Sequence, residues 1–420
     1  MSAPINAAAV AALALEPLDW RFKGLPASWW GRTPADVCAA SPRLFDDSGG
    51  IAGSAGSAVG PVCVLLADAL SENLVTMAQW CRKRGVELAP HGKTHMSPQL
   101  LARQFEAGAC AVTAATVSQV RIFRAFGVRD VVLANELVDA AALRWLAAEL
   151  DADADFGLVC WVDSVRGVEL MTAALTAAGA ERPVDVCVEV GMPGGRTGCR
   201  VADGVDAVAR AVAASPRLRL IGVAGYEAAL GHDVTPAAVA AVRSYLADVR
   251  AAVLRLAPIF ETDRILATAG GSTYFDAVAD ALTEWPADVS VRTILRSGCY
   301  LTHDDGLYRR TSPLREGLRP ALRVWSQVMS RPEPDLAVLT MGRRDVSFDQ
   351  ELPVPYGLTT AHVTKLNDQH AYLRLGDDEV EVGDWVEFGI SHPCTVFDKW
   401  PMIPVLDEGG RVVDLIRTFF

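Results

Sequence analysis

The chain has 420 residues, 51% hydrophobic and 21% charged, with 34 glycines and 23 prolines scattered along it, which predicts a compact protein with one large and one smaller core. Its 51 acidic residues against 39 basic ones leave a formal charge of -12 without a strong basic patch, which argues against nucleic acid as a partner. No apolar run approaches the roughly 18 residues of a membrane span, no basic residue precedes the apolar N-terminal run, and the nine cysteines are widely spaced, so a cytoplasmic protein is expected.

In chain order, residues 1–60 show weak periodicity and are expected to pack on the second domain. From residue 61, short β-type runs alternate with helical patterns, the signature of βα units around a parallel sheet. PVCVLLADAL opens the series as a strand, and SENLVTMAQWCRKRG follows as a helix capped by Ser71. VELAPHGKTH is the next strand with its turn, leading to a helix entered through Ser97 and Pro98 and closed by Gly108. ACAVTAAT, RDVVLAN, FGLVCWVD, PVDVCVEVG, RLIGVAGYE, RILATAGG and TILRSGCY complete nine strand candidates. A barrel takes eight, so one candidate at an end of the series, TILRSGCY foremost, is expected to lie outside it. Evenly sized units without a GxGxxG fingerprint favour an α/β fold in which 61–310 form an eight-stranded TIM-like barrel. Beyond residue 311 the β-rich pieces and Pro, Gly and Asp turns predict a second, mostly β domain over 311–420.

Lys93, in PHGKTH, stands directly after an apolar strand, at the face where the βα loops of a barrel carry chemistry. Partial desolvation there makes its amine a usable nucleophile and proton carrier. Read as an extended strand, His91, Lys93 and His95 share one side of the chain. Gly270, Gly271, Ser272 and Thr273 follow the RILA strand in a turn whose amides and hydroxyls suit a phosphate, although such a turn is also common without a ligand. Near the C-terminus, His392 and Cys394 are one residue apart and can converge on a single borderline-soft cation such as zinc, leaving positions for water or substrate.

These segments resemble the alanine racemase-like pyridoxal-phosphate enzymes, and PHGKTH with HPCTVFDKW resembles the branch of D-serine dehydratase, D-threonine aldolase, D-threo-3-hydroxyaspartate dehydratase and bacterial D-amino acid deaminases. The resemblance implies pyridoxal 5'-phosphate carried as a Schiff base on Lys93, with His91 beside it and Gly298 and Tyr300 of SGCY next to the phosphate. It places Tyr226 near the ring and substrate, and Arg196 of RTG at either the ring or a substrate carboxylate; a buried tyrosine bonded to backbone is the plain alternative for Tyr226 and Tyr300. It implies zinc on His392 and Cys394; aldolase relatives carry aspartate in place of the cysteine, a harder donor suited to Mn2+ or Mg2+. The activity implied is dehydration and deamination of D-3-hydroxy amino acids such as D-serine or D-threonine to a 2-oxo acid and ammonia, with aldol cleavage to glycine and an aldehyde as the alternative. Lys93 then doubles as general base, with His392 and Cys394 acting through the metal, in a small-molecule enzyme that works as a homodimer. His303, His370 and Asp345 match family positions without an assigned role.

Overall fold

The computed structural model describes residues 3–45 and 58–420. Two compact units divide them: residues up to Asn6 with Ala78–Lys93 and Gln104–Gly298, and Ala7–Met77 with Thr94–Arg103 and Cys299–Phe420. The expected boundary at 310 therefore falls at 298, and the stretch 61–77 belongs to the second unit.

The first strand, β1 (Val62–Leu66), is the surplus candidate. It pairs antiparallel with the second unit's long strand Leu322–Glu333 and parallel with Met402–Leu406. TILRS, expected outside the barrel, supplies one of its strands instead. The first four of the five residues of β1 are buried, as in a strand covered on both faces, and such a run reads the same in either sheet.

The barrel comprises β2 (Glu87–Leu88), β3 (Val112–Ala114), β4 (Asp130–Glu136), β5 (Gly157–Val162), β6 (Val184–Val190), β7 (Leu218–Gly225), β8 (Ile265–Ala269) and β9 (Val291–Leu295). They form one parallel eight-stranded sheet in the order β2-β9-β8-β7-β6-β5-β4-β3. Its two ends meet where the amides of Cys110 and Thr113 donate to the carbonyls of Leu88 and Pro90, at 2.8 and 2.9 Å, and His91 bridges Thr113. Ala89, Val132, Val159, Trp161, Cys187, Ala224, Leu266 and Ile294 fill the interior, so the barrel is a packed core. Intervening helices start at side-chain caps, among them Thr116, Asp139, Ser164 and Thr235. Ser71 is not one of them: it lies within the helix Ala67–Arg84, which begins four residues earlier.

The second unit is built on an antiparallel-rich sheet in which β10 (Leu322–Glu333) pairs with β11 (Leu336–Leu339) and β1. Beyond β12 (Val354–Pro355), β13 (His362–Leu366) and β14 (Ala371–Arg374) extend the sheet past β11; β15 (Trp385–Gly389) joins β10 to β12, and β16 (Met402–Leu406) and β17 (Val412–Arg417) continue past β1. Leu18, Phe22, Leu25, Trp29, Val37 and Leu44 of the N-terminal segment pack on Val62, Val64, Trp385 and Leu415 of this sheet, each buried large side chain contributing about 1.5–3 kcal/mol. The rest of the N-terminal expectation, residues 46–57, lies outside the described residues.

Candidate active site

In a parallel barrel every strand ends on the same face, so residues that follow different strands converge there. Lys93 follows β2 in a one-turn helix, Gly92–Thr94, rather than in extended chain. A side chain at Gly92 has no room: a Cβ would lie 2.4 Å from Cζ of the buried Phe123 and 2.8 Å from Cγ2 of Val112. This tight seat starts the turn and sends 91, 93 and 95 in different directions, which corrects the expectation of one shared side. His95 is fully buried, its Nδ1 accepting the Ser97 amide at 2.9 Å and its ring edge-on to Phe397.

His91 stays with Lys93. Its Nδ1 is buried without a hydrogen-bond partner among the described residues, and burial, reinforced by the charges of Lys93, Arg296 and Arg196, holds its pKa well below the usual imidazole value. The ring is therefore neutral at pH 7, and the three cations that act on it make an electrostatic basin suited to an anion.

Arg296, at the end of β9, is 6% exposed, and its guanidinium donates to Thr268 Oγ1 and the Gly225 carbonyl, both at 2.7 Å, and lies 5.5 Å from the Trp161 ring. Arg196, on the loop after β6, lies 4.8 Å from the Tyr226 ring. That loop is held by Arg200, which donates to the carbonyls of Met192, Gly195, Arg196 and Thr197. The Tyr245 hydroxyl donates to the Val190 carbonyl at 2.6 Å and accepts the Tyr226 amide at 2.9 Å, tying the ends of β6 and β7 together.

The glycine turn after β8 does bind an anion through its amides, but the anion is internal. Gly270 N–H and Gly271 N–H donate to the buried Glu227 carboxylate at 2.9 and 2.6 Å. Gly270 holds φ at +99°, and a Cβ there would meet Leu295 at 2.7 Å, so the turn requires glycine. Ser297 Oγ donates to the Gly271 carbonyl at 2.8 Å, and Thr273 Oγ1 lies 2.9 Å from His232 Nδ1. Ser272 sits partly buried between them. The expectation that Gly270 and Gly271 amides face a phosphate is thus corrected: Glu227 takes both, and Ser272 with its neighbouring backbone is the part of the turn left for one.

Two further carboxyls face the same end. Glu136 closes β4 and Glu189 lies near the end of β6; both Glu136 oxygens and one of Glu189 are buried and, apart from each other, have no hydrogen-bond partner among the described residues. Burial, then the neighbouring Glu189, pushes the Glu136 carboxyl up to about 8, so this pair carries a proton at neutral pH.

The second unit holds the other cluster. Gly298 is the last residue of the barrel unit, whereas Tyr300 is 4% exposed in the second unit, on the short turn Cys299–Leu301. His392 adopts φ +62°, with its amide on Asp304 at 3.1 Å and its Nδ1 on Asp349 Oδ2 at 2.5 Å. Asp349 also accepts the Thr395 hydroxyl at 2.7 Å. Burial pulls the His392 pKa down, but the Asp349 hydrogen bond and nearby acidic groups outweigh it and raise it. Cys394, partly buried, donates to Thr94 Oγ1 at 3.4 Å and lies 3.5 Å from the Cys299 sulfur. With Nδ1 bonded to a carboxylate, Nε2 is the nitrogen that a metal would take, as in histidines that ligate one.

Among the described residues no three His, Cys, Asp or Glu side chains are arranged as a ready metal cage. The donor chemistry of His392 and Cys394 fits a cation that completes its shell from solvent and substrate. The barrel residues likewise fit pyridoxal phosphate: an amine on Lys93, a basin of three cations and an orphaned buried imidazole nitrogen.

The remaining family positions are structural or open. Asp345 is 2% exposed and closes a turn by accepting the Gly342 amide at 3.0 Å while pairing with Lys23 at 2.8 Å. His370 lies between β13 and β14, where its carbonyl accepts the Asn367 amide. Both ring nitrogens of His303 are buried without partners among the described residues, and burial lowers its pKa to about 4. Arg296, Glu136 and Glu189 were legible as charged residues ending apolar strands; Glu227, Asp349, Asp304 and Cys299 had no local signal.

The alanine racemase N-terminal domain model matches residues 66–304, and the putative serine dehydratase domain model matches 321–406. The chain is 29% identical over 358 residues to a D-threonine aldolase of Arthrobacter sp., covering 83% of this chain and 89% of that one. It is 31% identical over 145 residues to a D-threo-3-hydroxyaspartate dehydratase of Delftia sp., covering 33% of this chain and 35% of that one. The crystal structure of D-threonine aldolase from Filomicrobium marinum superposes with a TM-score of 0.74 at 26% identity, covering 86% of this chain and 95% of that chain.

Proposed function

Because the chain belongs to the alanine racemase N-terminal domain family, whose model spans residues 66–304, we propose that it is a pyridoxal-phosphate- and metal-dependent lyase for D-3-hydroxy amino acids, eliminating water and ammonia from D-serine or D-threonine to leave a 2-oxo acid. Lys93 is the cofactor lysine and, once its amine is free, the base that takes the Cα proton. Pyridoxal phosphate, when bound, supplies an aldehyde for the amine and a ring that accepts electrons from Cα. His91, held neutral, avoids adding a fourth positive charge beside Lys93, Arg196 and Arg296, which draw the anionic groups of cofactor and substrate. Ser272 and its neighbouring backbone, with Gly298, are the candidates to hold the phosphate, and Tyr226 the candidate to line the ring, while Glu227 keeps the glycine turn in shape.

The observation that carries the elimination reading is a cysteine, Cys394, two residues after a histidine whose Nδ1 is held by Asp349. Such a pair selects a borderline-soft cation, zinc first, which supplies Lewis acidity to a departing hydroxyl. Aldol cleavage to glycine and an aldehyde, with Mn2+ or Mg2+, is the second reading, favoured by the 29% identity to a D-threonine aldolase across 83% of the chain. The working form is taken to be a cytoplasmic homodimer acting on small molecules; no described helix is long and apolar enough to cross a membrane.

Incubating cofactor- and zinc-loaded protein with D-serine and D-threonine, with 2-oxo acid and glycine assayed separately, decides between them. Oxo acid without glycine is expected. Glycine with aldehyde selects the aldolase, and neither product from loaded protein removes both readings.

A further inference from the structure

Cys299 and Cys394 lie 95 residues apart in sequence, yet their sulfurs are 3.5 Å apart. Each heads a short turn: Cys299 the helical turn Cys299–Leu301, whose backbone is tied by the His303 amide at 2.8 Å, and Cys394 the turn Cys394–Phe397. Leu307 and Tyr308 pack around the pair, with Tyr308 also hydrogen-bonded to Cys299. A disulfide needs the sulfurs at about 2.05 Å, an approach of about 1.5 Å from the distance between them. Cys394 is partly exposed and Cys299 is 5% exposed, which divides the roles: an oxidant reaches the first and the second completes the bond.

We propose that Cys299 and Cys394 form a thiol modification site that closes to a disulfide and thereby removes the sulfur donor from His392's partner position. The inference rests on the metal reading above. The oxidant class is a low-molecular-weight disulfide. The Cys394 sulfur attacks one of its sulfurs and releases one small thiol. The Cys299 thiol then attacks the Cys394 sulfur of this mixed disulfide, forming the internal bond and releasing the second small thiol. Two protein thiols are oxidised, one external disulfide is reduced to two thiols, and the two protons leave with them. Bound metal opposes the reaction by occupying the Cys394 sulfur, so the site closes most readily when metal is lost, and stays closed against reloading until reduced.

The test treats full-length protein with oxidised glutathione, with and without zinc, and reads three quantities: peptide mass after alkylation of free thiols, zinc content, and zinc reloading after dithiothreitol. The expected result is a peptide pair containing Cys299 and Cys394 joined with the mass of two hydrogens lost, zinc uptake blocked in step with that loss, and recovery on reduction. Cys299→Ser is expected to bind zinc normally and to stop at a glutathione adduct on Cys394. A Cys299→Ala variant repeats the reading should serine perturb the packing around the pair. Unlinked cysteines in the oxidised wild type, or a linked pair that still takes up zinc, overturns the proposal. Protein that binds no zinc even when reduced, while still forming the linked pair, overturns the metal reading and the switch built on it, but leaves the bond itself measured.

Discussion

The barrel cluster and the His392 cluster are built by opposite routes. Around Lys93, residues from the ends of β2, β6, β7, β8 and β9 converge because a parallel barrel puts all those ends on one face. Around His392, a left-handed residue and a one-turn helix are held by two carboxylates, Asp304 and Asp349, drawn from loops 88 and 43 residues away. The first site is rigid because strands carry it; the second depends on a few hydrogen bonds, so single changes there should act on affinity more than on the fold.

The strongest test of the barrel side is Lys93→Ala. It should cut turnover by about 10⁴-fold or more, since both nucleophile and base are lost, while the melting temperature stays close to that of wild type. Borohydride reduction of the loaded protein should label position 93, and label found elsewhere would break the comparison at its root. Gly92→Ala is the stability counterpart: a methyl 2.4 Å from Phe123 should cost about 2–3 kcal/mol in denaturant unfolding and displace Lys93 with it.

On the metal side, Asp349→Asn should weaken zinc binding about 10–100-fold by unhooking the His392 ring, with unfolding free energy changed far less. Zinc titration by competition with a chromophoric chelator measures it, and an unchanged affinity would mean that Asp349 does not orient a ligand.

The smallest expected effect is a pH-dependent one. Glu136 has its carboxyl raised from 4.5 to about 8 by burial and then by Glu189, so the fold favours its protonated form. The penalty is absent below about pH 4.5 and grows as pH rises towards 8. Glu136→Gln should therefore stabilise by about 1–2 kcal/mol at pH 8.5, after allowance for solvent screening, and by nothing at pH 4. Melting curves at both pH values check it; equal shifts at the two would contradict a shared proton.

How much of this was readable in the chain differs by element. The βα alternation, Ser97-Pro98 at a helix start, Lys93 after an apolar strand and the close His392 and Cys394 spacing are local features, and local physics suffices to see them. β1 was misassigned because VCVLL is buried on both faces and carries no mark of which sheet it joins.

The alternation of strands and helices, a lysine directly after an apolar strand and the spacing of His392 and Cys394 follow from the amino acids themselves, since periodicity and chemical type are properties of short segments. Tertiary structure alone decided that Glu227 would take the amides of the glycine turn, that Asp349 would steer His392, and that Cys299 would meet Cys394. These are contacts across 43 to 95 residues, and their partners are chosen by which loops a closed sheet and a long-range turn bring within hydrogen-bond distance, information that no local pattern holds.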